Sequence, residues 1–438
     1  TIWLMDPRPN LQVIVNTVQK AFELSEYSHT PVMMQLRIRT CHLQGKFITK
    51  NNIKPNISSI NKVKEVAPHN YDLIAHPPST YAQEKLKYGQ RAELAKHYVT
   101  HNSLNEFFEG TIKEVGLIVQ GGLYNNLISA LVEMDLADSL GNTKLSIYVL
   151  NVVHPLIPDE IISYAKKFKA LLVIEEGQPQ YIEQEIGLLL HKEKIEVDLK
   201  GKDILPMAGE YTSEVIYKGV FSFINSYIPD SQNFTNLNYN AEVDQLRDDV
   251  SSFLGEVVPA RPPGFCTGCP ERPFFSALKM IEKDIGKIHV STDIGCHSFA
   301  TFAPFSFGQS ILGYGMSLAA SAGVQSFSDK RPIAIMGDGG FWHNGLLSGV
   351  ASRLLNNSDG ILVILQNGYT AATGTQNLIS TPEVDNRIAA VSESSTSTDK
   401  TIEKALKGLG VEWLRTVHTY EVGNVKKVLA EAFTSSFN

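Results

Sequence analysis

Cysteine is scarce in this chain, with four in 438 residues. A disulfide scaffold needs far more, so the expected setting is reducing and cytoplasmic. Long apolar runs are missing too: nothing approaches the roughly 18–20 residues that span a bilayer. The best stretch, ILGYGMSLAASAGV at 311–324, is short and rich in Gly, Ala and Ser. It reads as a buried helix that lets neighbouring backbone come close. Basic residues are not in excess. With 39 Lys and Arg against 46 Asp and Glu the net charge is −7, which gives no electrostatic reason to expect nucleic acid or an anionic membrane as a partner. The opening TIWLMDPRPN has neither the basic nor the apolar region of a secretory leader. What is there is an ordinary globular balance, 43% hydrophobic and 19% charged, in a chain long enough for two or three cores.

Periodicity divides the chain into blocks. Residues 11–26 place Leu11, Ile14, Val18, Ala21 and Phe22 on one helical face, and PVMMQLRIR at 31–39 reads as a strand. One helix and one strand cannot enclose a core, so this block (1–50) must pack onto something else. Residues 51–110 read as a linker with some helix at 81–96. The block 111–235 alternates: strands at 115–120, 145–150 and 170–176, helices at 125–140, 158–168 and 180–192. Continuous apolar strands between amphipathic helices predict a parallel sheet covered on both faces. The Gly121-Gly122 pair after the first strand lacks a G-x-G-x-x-G pattern and reads as a tight turn rather than a nucleotide loop. The block 236–438 is again α/β. Its segment SESSTSTDK at 392–400 carries no catalytic residue type at useful spacing and reads as a surface loop.

The last block holds the chemistry. PIAIM at 332–336 is a short buried strand that runs into Gly337-Asp338-Gly339-Gly340. A helix at 343–357 follows, with apolar residues Leu346, Leu347, Val350 and Leu354. ILVIL at 361–365 is a second strand, ending in Gln366-Asn367-Gly368. A strand–helix–strand unit has a right-handed crossover and parallel strands. If the two strands are neighbours, Asp338 and Asn367 emerge at one carboxyl edge, on the order of 5 Å apart. Open α/β sheets bind ligands at that edge. A hard divalent cation takes oxygen ligands and keeps its other positions for water and phosphate. A carboxylate, an amide oxygen and a main-chain carbonyl supply three, and the N–H groups of the following helix start face phosphate charge. Asp-Gly alone is common in plain turns; the Asn at the end of the next strand is what favours a ligand.

This constellation resembles the GDG…N signature of thiamine-diphosphate enzymes. The resemblance implies that Asp338, the Asn367 side chain and the Tyr369 carbonyl hold Mg²⁺, which grips the diphosphate, with Gly337, Gly339 and Gly340 shaping the cradle. Two further stretches narrow it: PGFCTGCPERPFFSALK (263–279) has a C-x-x-C, and STDIGCHSFA (291–300) adds a third cysteine. With GDGGFWHNG and NGYTAATGTQ these resemble the 2-oxoacid:ferredoxin oxidoreductases, and within them the large (α) subunits of the indolepyruvate type. The likeness extends through AFELSEYSHTPVMMQLRIRTCH (21–42), similar to the end of that family's pyrimidine-binding domain, and through the second block, similar to its transketolase-C-like domain.

The implied fold is thus an α/β thiamine-diphosphate-binding one, with parallel sheets covered by helices, plus a transketolase-C-like parallel α/β domain. The implied domains are the tail of a pyrimidine-binding domain (1–50), a linker (51–110), the transketolase-C-like domain (111–235) and the diphosphate-binding domain (236–438). The implied reaction is oxidative decarboxylation of an aryl 2-oxoacid with CoA, giving an aryl-acetyl-CoA, CO₂ and reduced ferredoxin. It would run in a multi-subunit assembly with a small (β) subunit. In related enzymes two cysteines of a C-x-x-C, one of a G-C element and a fourth downstream hold a [4Fe–4S] cluster. Cys266, Cys269 and Cys296 occupy the first three positions and the fourth has no counterpart. Unligated thiols, or zinc with His297 as a ligand, are the alternatives. The glutamate that activates thiamine lies, in this family, on a part of the pyrimidine domain with no counterpart here, and the family's C-terminal ferredoxin segment has none either. No catalytic residue is therefore assigned; His297 is a candidate contact to cofactor or substrate. Phe341, Trp342 and Tyr369 are either an aromatic pocket or packing. The rival functions are a non-redox aryl-2-oxoacid decarboxylase and a cofactor-binding fragment inactive without partner chains.

Overall fold

The computed structural model describes residues 2–53, 69–228, 239–255, 263–381 and 401–435. The chain forms two compact units, Thr1–Val257 and Val258–Asn438. The segment SESSTSTDK lies outside the described residues. Among the described residues no helix is long and apolar enough to cross a membrane.

The first unit is built on two sheets. Strands β1 (Trp3–Met5), β2 (Val32–Met34) and β6 (Val152–His154) form one, in the order β2-β1-β6. Strands β3 (Glu106–Phe108), β4 (Ile112–Gln120), β5 (Leu145–Leu150), β7 (Ala170–Ile174) and β8 (Asp198–Lys200) form the other, in the order β3-β5-β4-β7-β8. All its pairs are parallel except β3 with β5. Strands β5 and β7 are buried along their whole length, which is why they read as continuous Leu, Ile and Val runs. Leu117, Val119, Ile147, Val149 and Leu172 pack with the helices Tyr124–Glu133 and Ser213–Tyr227. Ile118, Tyr148, Leu171 and Val173 face the opposite way, onto Pro158–Ala165 and Tyr181–Lys192.

The 1–50 block does pack onto something else, through an element the periodicity missed. β1 pairs with β2 in parallel and with β6 antiparallel, and so ties the amino-terminal residues to the end of β5. The helix Leu11–Ser28 begins at Asn10, whose side chain accepts from the N–H groups of Gln12 and Val13, and ends at His29 with φ 50°. Two corrections follow. The strand expected over 31–39 stops at Met34, and Ile38–Cys41 is a helical turn. The buried side of the first helix carries Thr17, Leu24 and Ser28, with Ala21 packed against the core, whereas Val18 and Phe22 are exposed. Their apolar character had suggested the opposite side.

The second unit holds a three-stranded parallel sheet, order β11-β10-β9, from β9 (Val290–Thr292), β10 (Ile333–Gly337) and β11 (Ile361–Leu365). Alternation along β10 splits its two faces. Ile333 and Ile335 pack under the helices Glu271–Ile285 and Val422–Thr434. Ala334 and Met336 pack with Leu318, Phe341, Val350 and Leu406. The 311–324 stretch is helical only from Ser317, in Ser317–Gln325, and Gly349 does approach it closely, since a β-carbon there would lie 3.2 Å from Leu318 Cβ. The crossover between β10 and β11 is wound as a π-helix over Phe341–Ala351 before an α-helical end at Ser352–Leu355. That winding throws the 3.6-residue reading out of phase, so Leu347, expected on the apolar face, is 72% exposed.

Candidate cofactor site at the carboxyl edge of the second sheet

β10 and β11 run parallel, with Gly337 opposite Leu365, so Asp338 and the turn Gln366-Asn367-Gly368 leave the sheet side by side. The Asp338 carboxylate is buried. One oxygen accepts from the N–H groups of Asn367 at 3.2 Å and Gly368 at 2.7 Å, the other from Gly339 at 3.0 Å. Burial pushes its pKa up, against the pull of those three N–H groups. Among the described residues it has N–H donors and no ion-pair partner. Asn367 is exposed, its side-chain oxygen turned onto the Tyr369 N–H at 3.2 Å, and Tyr369 itself is 40% exposed.

The glycines beside Asp338 are dictated by neighbours. A β-carbon on Gly339 would collide with the Tyr314 hydroxyl, and one on Gly340 with the Asp293 carboxylate. Gly315, at φ +79°, lies against the Gly340 carbonyl, where a β-carbon would come within 2.7 Å.

Asp293 is the residue that sequence reading missed. It follows β9 as Asp338 follows β10 and is fully buried. Its oxygens accept from the Gly315 N–H at 2.8 and 2.7 Å and from Met316 at 3.3 Å. Desolvation raises its pKa, while the Gly315 N–H and the neighbouring His297 oppose the rise. The available signal was its position: an acid directly after the short buried strand Val290–Thr292, repeating the placement of Asp338.

His297 sits at the same edge, 3% exposed. A β-carbon on Gly337 would lie 3.6 Å from its Cε1. Its Nδ1 is 3.9 Å from a Glu271 oxygen. Its Nε2, the second Glu271 oxygen and the Thr292 hydroxyl are buried without a hydrogen-bond partner, an unusual concentration of unsatisfied polar atoms. The cysteines converge from two segments. Cys266 is exposed, Cys269 and Cys296 half-buried. Burial raises the pKa of both half-buried thiols, and each feels the charge of Glu271 and of the neighbouring cysteines. Cys41 belongs to the other unit and is exposed. Among the described residues no three His, Cys, Asp or Glu side chains are arranged to hold a metal ion.

The remaining candidates divide. Phe341 is fully buried in the core; Trp342 packs with that core and donates to the Ser380 hydroxyl at 3.1 Å. In the first unit, the Gly121-Gly122 pair forms a 3₁₀ turn. A β-carbon there would strike the Asp6 carbonyl or the Arg37 side chain. Arg37 bonds Asp6 at 3.1 Å, Gln120 at 2.9 Å and also Glu176. The carboxyl edge of that sheet is occupied by the chain's own side chains.

Residues 293–437, which begin at Asp293 and include Asp338, match the thiamine pyrophosphate enzyme C-terminal TPP binding domain. The second unit therefore carries a thiamine-diphosphate-binding domain. Almost the whole chain is similar to one kind of protein within that class. Indolepyruvate oxidoreductase subunit IorA of Methanothermobacter thermautotrophicus is 25% identical over 429 residues, 96% of this chain and 62% of the relative. IorA of Archaeoglobus fulgidus is 25% identical over 417 residues, 94% of this chain and 60% of the relative. The chain is IorA-like, as its motifs implied, and spans about three-fifths of the length of these curated relatives. A solved 2-oxoglutarate:ferredoxin oxidoreductase from Magnetococcus marinus overlaps 51% of this chain and 42% of its own, at 14% identity and a TM-score of 0.31, an overlap that carries no argument about fold.

Proposed function

We propose that the edge formed by Asp338 and the 366–369 turn binds Mg²⁺–thiamine diphosphate. The chain would then work as a subunit of a 2-oxoacid:ferredoxin oxidoreductase of the indolepyruvate type. The observation that carries this reading is the Asp338 carboxylate, buried at the strand tip and held by the N–H groups of the adjacent strand tip, inside a stretch that matches a thiamine pyrophosphate binding domain. Such a carboxylate fits a divalent ion, whose charge would offset its desolvation. Asp338, the Asn367 side chain and the Tyr369 main-chain oxygen are the Mg²⁺ ligands in this reading, and Gly337, Gly339 and Gly340 admit the diphosphate. Thiamine diphosphate supplies the nucleophilic carbon and the electron sink. The chain's own share is to fix the ion, to keep Gly340 and Gly315 in register through Asp293, and to present the unpaired edge of His297 to whatever binds above Gly337.

The substrate in this reading is an aryl 2-oxoacid, with CoA as acceptor and ferredoxin as electron partner, and a small (β) subunit or other chains complete the assembly. Cys266, Cys269 and Cys296 offer three thiolates for a [4Fe–4S] cluster. A reducing cytoplasm suits that chemistry. A second reading, a non-redox aryl-2-oxoacid decarboxylase, is favoured by the thiol count: Cys266, Cys269 and Cys296 make three, and the chain's fourth cysteine, Cys41, belongs to the other unit.

Calorimetric titration of the full chain with thiamine diphosphate tests the first claim: binding that requires Mg²⁺ is expected, and binding indifferent to Mg²⁺ would refute the ligand set. Visible absorbance of a cluster with CoA-dependent reduction of a viologen dye distinguishes the redox reading. Aldehyde release without dye reduction supports the decarboxylase.

A further inference from the structure

The first unit holds a cavity that the cofactor edge does not use. It measures about 460 Å³, within the roughly 300–1,000 Å³ of small-molecule sites. One wall is the turn His29-Thr30-Pro31, which follows the helix Leu11–Ser28. The other comes from Gln83, Glu84, Lys87, Tyr88 and Arg91. These five lie on one helical rod whose winding changes twice: α over Ser79–Leu86, π over Lys87–Arg91, and α again over Ala92–His101. The far end of the rod is anchored, with Ala95 and Val99 fully buried in a core shared with Trp3 and Leu24. A π turn is a rare winding, and helices carry it frequently at functional sites. Phe341–Ala351, the other π-wound stretch among the described residues, begins just after the Asp338 turn.

The charges of this wall are left open. Lys87 and Arg91 are half-buried. Arg91 donates to the Gln83 amide oxygen, and among the described residues neither cation has an acidic partner. Glu84 stands on the same wall, exposed and outside any ion pair among those residues. The Tyr88 ring is 70% exposed. We propose that this cavity binds a nucleoside phosphate, with the phosphate on Lys87 and Arg91, the base on the Tyr88 ring and the ribose hydroxyls on Glu84. Each part of that ligand answers one feature of the wall. Lysine meets a phosphate as a point charge and arginine as a planar fork. A bare aromatic ring is a surface on which any base stacks. Glu84 repels inorganic phosphate but accepts from hydroxyls, as acids do at a ribose diol. An acid beside two cations therefore selects a ligand that carries an anionic end and a donor end together. A free nucleotide and the nucleotide end of CoA share this chemistry. All the lining residues belong to the first unit, so the proposal stands apart from the reading of the Asp338 edge.

Calorimetric titration of the full chain with ADP, in EDTA and without thiamine diphosphate, tests it. Saturable binding is expected, at least about tenfold tighter than that of inorganic phosphate. Lys87→Glu should weaken ADP binding about tenfold or more, since a repelling charge replaces an attracting one; circular dichroism checks that the fold is kept. Tyr88→Ala should weaken ADP about tenfold and leave the weaker phosphate binding unchanged. CoA titrated beside ADP identifies the source: tighter CoA assigns the site to its nucleotide end, tighter ADP to a free nucleotide. No ADP binding at millimolar concentration, equal affinity for ADP and inorganic phosphate, or binding that survives Lys87→Glu overturns the proposal. So does ADP binding that is lost in Asp338→Asn, which would put the ligand at the second edge instead.

Discussion

The two parallel sheets end in the same way in topology and in opposite ways in chemistry. At the carboxyl edge of the five-stranded sheet, Arg37 reaches in from the amino-terminal block and bonds Asp6, Gln120 and Glu176. Asn151 there accepts from the Arg8 N–H at 2.8 Å. At the edge of the three-stranded sheet no such cation arrives among the described residues. The Asp293 and Asp338 carboxylates accept hydrogen bonds from backbone N–H groups; unpartnered buried atoms occur at both edges, Asp6 Oδ1 and Arg37 Nε at the first and Glu271 Oε2, Thr292 Oγ1 and His297 Nε2 at the second. A parallel edge is a place where ligands can bind. It stays a site where the chain leaves its charges unbalanced, and it becomes structure where the chain balances them itself.

The comparison can be broken at its strongest point by Arg37→Ala. Removing the cation leaves Asp6, whose side chain is 2% exposed, buried against Glu176 without compensation. About 3–5 kcal/mol of stability should be lost, measured by denaturant unfolding, with Mg²⁺–thiamine diphosphate binding to the folded fraction unchanged. Asp338→Asn is the mirror case. It keeps an acceptor for the Asn367 and Gly368 N–H groups and removes a charge that burial disfavours, but turns an amide NH₂ onto the Gly339 N–H, so the melting temperature should change little. Cofactor affinity should fall by at least about a hundredfold, more than an outer-shell partner is worth. Normal affinity in calorimetry would end the metal-ligand assignment.

Gly340→Ala sharpens the contrast within the second edge. A β-carbon meets the Asp293 carboxylate, and the expected cost is about 1–3 kcal/mol by thermal denaturation. A neutral result would mean that Asp293 does not hold the Gly315 and Gly340 backbones together. The smallest effect is expected at Glu214, whose hydrogen bonds to Arg247 and then Lys218 lower its pKa from 4.5 to about 2. Because the folded value is depressed, the stabilisation is present above pH 4.5 and fades as the pH falls toward 2. Amide exchange over 239–254, compared with Glu214→Gln, should show that loss in the parent chain and not in the variant.

Much of the second edge was legible in the sequence because it is local: strand, turn, helix and strand follow one another within 332–368, and right-handed crossover fixes their pairing. Asp293 escaped because its only local mark is its place after a three-residue strand; its meaning comes from Gly315 and Gly340, which the chain reaches later. β1 escaped for a related reason, since three residues show no periodicity and its partners lie at 32–34 and 152–154. Val18 and Phe22 misled because an apolar stripe tells that a helix is two-faced, while neighbours decide which face is covered.

The π-wound stretch Phe341–Ala351 has a bearing on how the site tolerates change. Each of its turns closes over one more residue than an α turn, so the stretch holds spare chain length just behind Asp338. Deleting a residue there has a natural sink: the coil tightens locally, and both strand tips can stay where they are.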